Sequence, residues 1–105
     1  MGRFDVYRNP FAGSADSPYL LDVQAELLDM LETRVVIPLR RLERLSGVRP
    51  PSDLTPIVEV GGISCLVDTA QLASVSVRAL KKSVGSLADR RDDITRALDF
   101  LFQGY

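Results

Sequence analysis

Short apolar segments separated by clusters of turn formers, then one amphipathic segment, predict a mainly β chain with a C-terminal α-helix. The expected arrangement is a partly closed, mostly antiparallel sheet on which that helix packs. Two observations carry this expectation. Pro56-Ile57-Val58-Glu59-Val60 and Ile63-Ser64-Cys65-Leu66-Val67 flank Gly61-Gly62, a two-residue link that tolerates the positive φ of a primed hairpin turn. From Ser86 onward, Leu87, Ile94, Leu98 and Leu101 recur at helical spacing.

The remaining elements follow in order. Arg3 to Arg8 sets Phe4 and Val6 against Asp5 and Tyr7, as a half-buried strand does. Asn9 to Pro18 is dense in Pro, Gly, Ser and Asp and reads as an exposed loop. Tyr19 to Gln24 returns as the second strand of a long-tipped hairpin. Ala25 to Glu32 is helical by periodicity but too short to decide. Arg34 to Leu39 is a β-branched strand, and Pro38 assigns it to an edge or a bulge. Arg40 to Gly47 reads as a short helix or wide loop, and Pro50-Pro51 forces extended chain. Ala73 to Val77 alternates once more. Ser86 is expected to cap the final helix, with Asp89 in the capping-box position and Asp92 and Asp93 favourably placed behind it.

Residues 1–105 are expected to form one domain, which at this length buries roughly 65% of its unfolded surface. Apolar content of 46% and charged content of 26% belong to an ordinary soluble globular protein. A net charge of −1 leaves no electrostatic footprint for bulk nucleic-acid binding, so direct nucleic-acid binding is not expected. Arg40, Arg41 and Arg44 read as a solvated basic face. The lone Cys65 sits in an apolar run and reads as a small buried hydrophobe in a reducing compartment. With no signal peptide at Met1 to Asp5 and no apolar window of membrane-spanning length, the expectation is a cytoplasmic protein without a membrane partner. The absence of histidine removes His-based triads and histidine-ligated metals. No catalytic residue, metal site or cofactor is expected.

The sequence finishes with Phe102-Gln103-Gly104-Tyr105 directly after the helical pattern. An aromatic one residue beyond a glycine, at the tip of an amphipathic helix, is either a surface for a partner or a helix end tucked against its own core.

Several stretches taken together resemble one family. They are Phe4-Asp5-Val6-Tyr7, Tyr19-Leu20-Leu21-Asp22-Val23-Gln24, Val36-Ile37-Pro38-Leu39, Pro56-Ile57-Val58, Ala73-Ser74-Val75 and Leu101-Phe102-Gln103-Gly104-Tyr105. Their order is similar to that in CcdB, the toxin of bacterial CcdA/CcdB toxin–antitoxin modules, with extra residues mainly in the Asn9 to Pro18 loop. The resemblance implies an SH3-like barrel of the CcdB/MazF kind, assembled as a homodimer through the C-terminal helix region. It implies a non-enzymatic topoisomerase poison that serves plasmid maintenance: it binds the A subunit of DNA gyrase, traps the gyrase–DNA cleavage complex and is neutralised by a CcdA-like antitoxin.

By position, the resemblance assigns gyrase binding to Leu27, Leu28, Arg91, Asp92, Thr95, Arg96, Asp99, Gln103, Gly104 and Tyr105. Asp92, Thr95, Arg96, Asp99 and Gln103 fall on one helical stripe, distinct from the Leu87/Ile94/Leu98/Leu101 stripe. The family ends Trp-Gly-Ile where this chain has Gln103, Gly104 and Tyr105, so the stacking surface of the tryptophan is missing. Antitoxin binding is expected at the turn-rich loop, through Asn9, Phe11, Ser14 and Asp16. Two alternatives stand: a non-toxic homologue that binds antitoxin and modulates repression, and a MazF-like endoribonuclease, for which Asp68 with Arg40 or Arg78 would be the candidates.

Overall fold

The computed structural model describes residues 2–47 and 49–105. Seven strands form one antiparallel sheet that curls into a nearly closed barrel: β1 (Asp5–Arg8), β2 (Tyr19–Asp22), β3 (Thr33–Arg41), β4 (Ile57–Val60), β5 (Ile63–Val67), β6 (Ala73–Ser76) and β7 (Gly85–Ser86). The pairing order is β4-β5-β3-β2-β1-β7, and β6 adds to β3 off this path. Helix α1 (Arg91–Gln103) follows. The Gly-Gly hairpin is as expected: Gly61 and Gly62 have φ of 56° and 79°, and Val60 pairs with Ile63 across them.

Strand β3 corrects the expectation for Pro38. It is central, with β2 along one side and β6 then β5 along the other. Pairing to β6 ends at Val36 and pairing to β5 begins at Leu39. Pro38 lies in the gap, where its carbonyl accepts from the Asp68 N–H at 3.0 Å. A strand residue's N–H and C=O point the same way, so the missing N–H falls where no ladder partner is required. The proline marks the place where one long strand changes partners.

The helix start is also corrected. Leu87 N–H is spent on the Phe4 carbonyl at 2.8 Å, which prolongs the β1–β7 ladder past Ser86. Ser86 Oγ accepts from Ala88 N–H at 3.2 Å, at the start of a 3-10 turn over Ala88–Arg90 whose N-cap is Leu87, and does not reach α1. The α-helix begins only at Arg91, with no side-chain cap, and Asp92 and Asp93 occupy its first turn. Ala25 to Glu32 contains one 3-10 turn, Glu26–Leu28, and Leu42–Arg44 forms another.

The main core gathers Val6, Leu21, Ile37, Leu39, Val58, Cys65 and Val67 from the strands, closed by Leu87 and Ile94. Ala97 is fully buried beside this helical stripe, whereas Leu101 is only half-buried. Tyr7, Leu20, Val36 and Leu80 form a second cluster. Because β2 is covered on both faces, it reads as an apolar run rather than an alternation. The basic cluster is not simply solvated. Arg41 N–H donates to Asp16 O at 2.7 Å, its Nε to Ala15 O at 3.2 Å, and Arg44 lies 3.6 Å from Asp16. These bonds buckle the Asn9–Pro18 loop to the end of β3.

Cys65 is buried as expected, and desolvation raises its thiol above the ordinary 9.0. Burial, followed by the nearby Asp5, raises the Tyr7 hydroxyl above 10.0. For both groups the native state keeps its proton longer than the unfolded chain does. Their contribution to stability is therefore complete below the unfolded pKa and is lost as pH rises through the folded one. Urea denaturation should show stability falling above about pH 9, with part of the loss removed in Cys65→Ala and part in Tyr7→Phe. A flat alkaline profile in the parent would contradict this.

Candidate functional site

The candidate surface begins at a strained residue. Phe4 has φ of 72°, the only positive value among the described non-glycine residues. Three bonds hold the chain there. Phe4 N–H donates to Asp22 O at 2.7 Å, its carbonyl accepts from Leu87 N–H, and Arg3 Nε donates to Val23 O at 3.2 Å. The left-handed turn buries the Phe4 ring in the core and lays the Arg3 guanidinium over that ring, 4.8 Å from its centroid.

Next to this corner runs the outer face of α1. Arg91, Asp92, Thr95, Arg96 and Asp99 are all exposed there. With Arg3, Phe4 and Tyr105 they line an open depression of about 350 Å³. Gly104 adopts φ of 79° and donates its N–H to Phe100 O at 2.9 Å, the left-handed helix end that glycine favours. This turn brings Tyr105, which remains 82% exposed, onto the stripe face. Gln103 is exposed but does not line the depression.

Leu27 and Leu28 are separated by the 3-10 turn that carries them. Leu27, 87% exposed, lines a second depression of about 420 Å³ with Arg3, Phe4, Ala25, Glu26, Ala88 and Arg91. Leu28 points instead into an apolar groove of about 500 Å³ with Val23, Leu31, Val35, Leu72, Leu98 and Phe102. Seven of the ten helix-face, tail and turn residues thus line two adjoining depressions, Leu28 lines a separate groove, and Gly104 and Gln103 line neither.

Sequence reasoning missed the network that holds the turn. Arg34 is fully buried; its Nη2 lies 2.7 Å and its Nε 2.9 Å from Asp22 Oδ2, and its Nη1 lies 2.9 Å from Asp29 Oδ1. Gln24 donates from Nε2 to Leu28 O at 3.1 Å, accepts at Oε1 from Val35 N–H at 3.0 Å, and donates its own N–H to Asp22 Oδ1 at 3.0 Å. Burial pushes the Asp22 carboxyl up, opposed by the Gln24 N–H and by Arg34. The only signal in the sequence was the presence of three charged residues and a glutamine between apolar segments, which a solvated loop would share.

In the Asn9–Pro18 loop, Asn9 is used internally: Nδ2 donates to Ser17 O at 2.8 Å and Oδ1 accepts from Phe11 N–H at 2.9 Å. Phe11, Ser14 and Asp16 are exposed. Arg40 and Asp68 form no ion pair, and burial raises the Asp68 carboxyl while Arg40 pulls it down. Arg78 is exposed on the 3-10 turn after β6. No helix among the described residues is long and apolar enough to cross a membrane.

The family model for CcdB protein matches residues 3–104, nearly the whole chain. The chain belongs to the CcdB family. It is therefore a toxin-type protein of toxin–antitoxin modules, built on the barrel and terminal helix described above.

Removing one partner of a buried ion pair leaves an uncompensated charge and costs about 3–5 kcal/mol. Arg34→Met should lower stability by that order in urea denaturation. Asp29→Asn should cost about 1 kcal/mol or less, because Asp29 is 54% exposed and the Arg34–Asp22 contact survives. Equal losses in the two variants would refute this ranking.

Proposed function

We propose that this CcdB-family protein binds the A subunit of DNA gyrase and traps the cleaved gyrase–DNA complex, and that a CcdA-like antitoxin relieves it. The observation that carries this reading is the shared face of α1 and the tail. The left-handed Gly104 aims Tyr105 along the Asp92/Thr95/Arg96/Asp99 stripe, so one exposed strip combines charged side chains with an aromatic ring. Such a strip fits a protein target whose cleft admits a helix end. No residue is assigned a catalytic role; poisoning would come from binding alone.

Gln103 weakens the grip in this reading, because it lacks the ring that the family carries there. A buried aromatic at an interface centre contributes about 2 kcal/mol or more. Tyr105 supplies an aromatic surface two residues later. Exposed Phe102, at 71%, together with Leu28 and Leu31 beside the apolar groove, supports a homodimer formed through the C-terminal helix region.

Calorimetric titration with the gyrase A fragment tests the reading. Deleting Gly104-Tyr105 should abolish binding with little change in thermal midpoint, since Ile94 and Ala97 rather than the tail fill the core. Gln103→Trp should tighten binding by roughly tenfold or more. If neither the parent nor Gln103→Trp binds, gyrase is not the target.

The antitoxin is proposed to engage the Asn9–Pro18 loop through exposed Phe11, Ser14 and Asp16, with Asn9 setting the loop's shape. Shortening the loop between Pro10 and Ala15 should weaken antitoxin binding while the thermal melt stays nearly unchanged. Unaltered affinity would reject the assignment.

A further inference from the structure

Arg3 and Arg91 stand where the two adjoining depressions meet, and both side chains line both of them. Each guanidinium is fixed by its Nε: Arg3 on Val23 O at 3.2 Å and Arg91 on Ala88 O at 3.0 Å. Arg3 is further held against the Phe4 ring by the left-handed turn. Among the described residues no carboxylate comes within 4.0 Å of either guanidinium, although Glu26, Asp92 and Asp99 lie around the same depressions. Arginines 34, 41, 44, 90 and 96 each have an acidic partner, whereas Arg8, Arg40 and Arg78, like Arg3 and Arg91, have none among the described residues; what sets Arg3 and Arg91 apart is that they line the same two depressions.

We propose that Arg3 and Arg91 form a two-cation clamp for a carboxylate side chain on the protein partner, joining the tail end of the docking surface to its Leu27 end. The inference rests on the reading of this face as the toxin's target-binding surface and adds a residue, Arg3, that position in the family did not assign. With Nε tied to backbone, the remaining Nη donors of each guanidinium are available. That arrangement matches a carboxylate, which accepts two parallel N–H bonds from an arginine fork. Pre-fixing both forks lowers the ordering cost that long side chains impose on binding. In the second depression the two arginines face one acidic side chain, Glu26, so an incoming acid meets net positive charge there. Glu26, Asp92 and Asp99 at the rim would repel a second acidic group, which favours a single carboxylate over an acidic tract.

Two measurements test the clamp separately from the identity of the target. In the first, the Arg Nε–Hε resonances of the labelled full chain are followed while acetyl-Glu-amide, which carries one carboxylate, is added at low salt. Arg3 and Arg91 should shift together and saturably, Arg3→Gln should abolish the Arg91 shift, and acetyl-Gln-amide should produce none. No saturable shift at the two arginines, or an unchanged Arg91 response in Arg3→Gln, overturns the proposal. In the second, the gyrase A fragment is titrated with the parent, Arg3→Lys and Arg3→Glu, each checked for an unchanged melt. Arg3→Glu should weaken binding at least tenfold, and Arg3→Lys should fall between it and the parent. Parent-like binding by Arg3→Glu overturns the clamp while leaving the gyrase reading intact. Failure of the parent to bind removes gyrase, and the acetyl-Glu-amide titration still decides the clamp.

Discussion

The buried contact between Arg34 and Asp22 constrains more of this molecule than any other single interaction. Both side chains are inaccessible to solvent, and the guanidinium meets the carboxylate through two nitrogens. Moving two charges out of water is expensive, and their attraction offsets that cost only when the remaining donors and acceptors are satisfied. Here they are: the second Asp22 oxygen takes the Gln24 N–H, and the third guanidinium nitrogen reaches Asp29. Because Asp22 ends β2 and Arg34 is the second residue of β3, the pair fixes how the chain leaves one central strand and enters the next. Beyond the buried Val23, the intervening segment, with its exposed Leu27 and Met30, places no apolar side chain in the core. Its shape follows from polar hooks at Gln24 and Asp29.

Asp22 also ties this network to the corner at Phe4, since its carbonyl accepts the Phe4 N–H. The positive φ there costs energy that a β-strand residue would not incur, of order 1–3 kcal/mol. The strain is offset by a buried ring and by ladder bonds on both sides. Its consequence lies at the surface, where Arg3 is turned toward α1. A single backbone dihedral thus couples the core to the edge of the proposed docking face.

Helix α1 divides its circumference by function. Ile94 and Ala97 are fully buried, Leu98 packs beside them, and the charged stripe faces outward along the whole helix. Ala97 matters because a small residue lets the helix sit close to the barrel. The glycine after the last turn needs the left-handed conformation, and that conformation decides where the terminal aromatic points. The same helix therefore serves as a lid for the barrel and as the base of the proposed partner-binding strip.

What the sequence determined by itself was local. The Gly-Gly hairpin, the turn-rich loop, the buried Cys65 run and the two stripes of the last helix follow from φ tolerance and from side-chain periodicity, which operate within a few residues. The order of apolar segments likewise pointed to the CcdB family before any contact was known. Tertiary structure decided whatever depended on a distant partner. Pro38 reads as an edge residue until β5 and β6 are seen to share one side of β3 and leave a gap at its missing N–H. Ser86 reads as a helix cap until Leu87 is seen bonded to Phe4, more than eighty residues earlier in the chain. Arg34 reads only as the start of a β-branched strand until Asp22 and Asp29 close around it, and nothing in the sequence pairs Arg3 with Arg91 until a strained turn sets both along the same depressions. Backbone hydrogen bonds and charges are satisfied by whichever groups folding brings near, and a linear pattern does not encode which those will be.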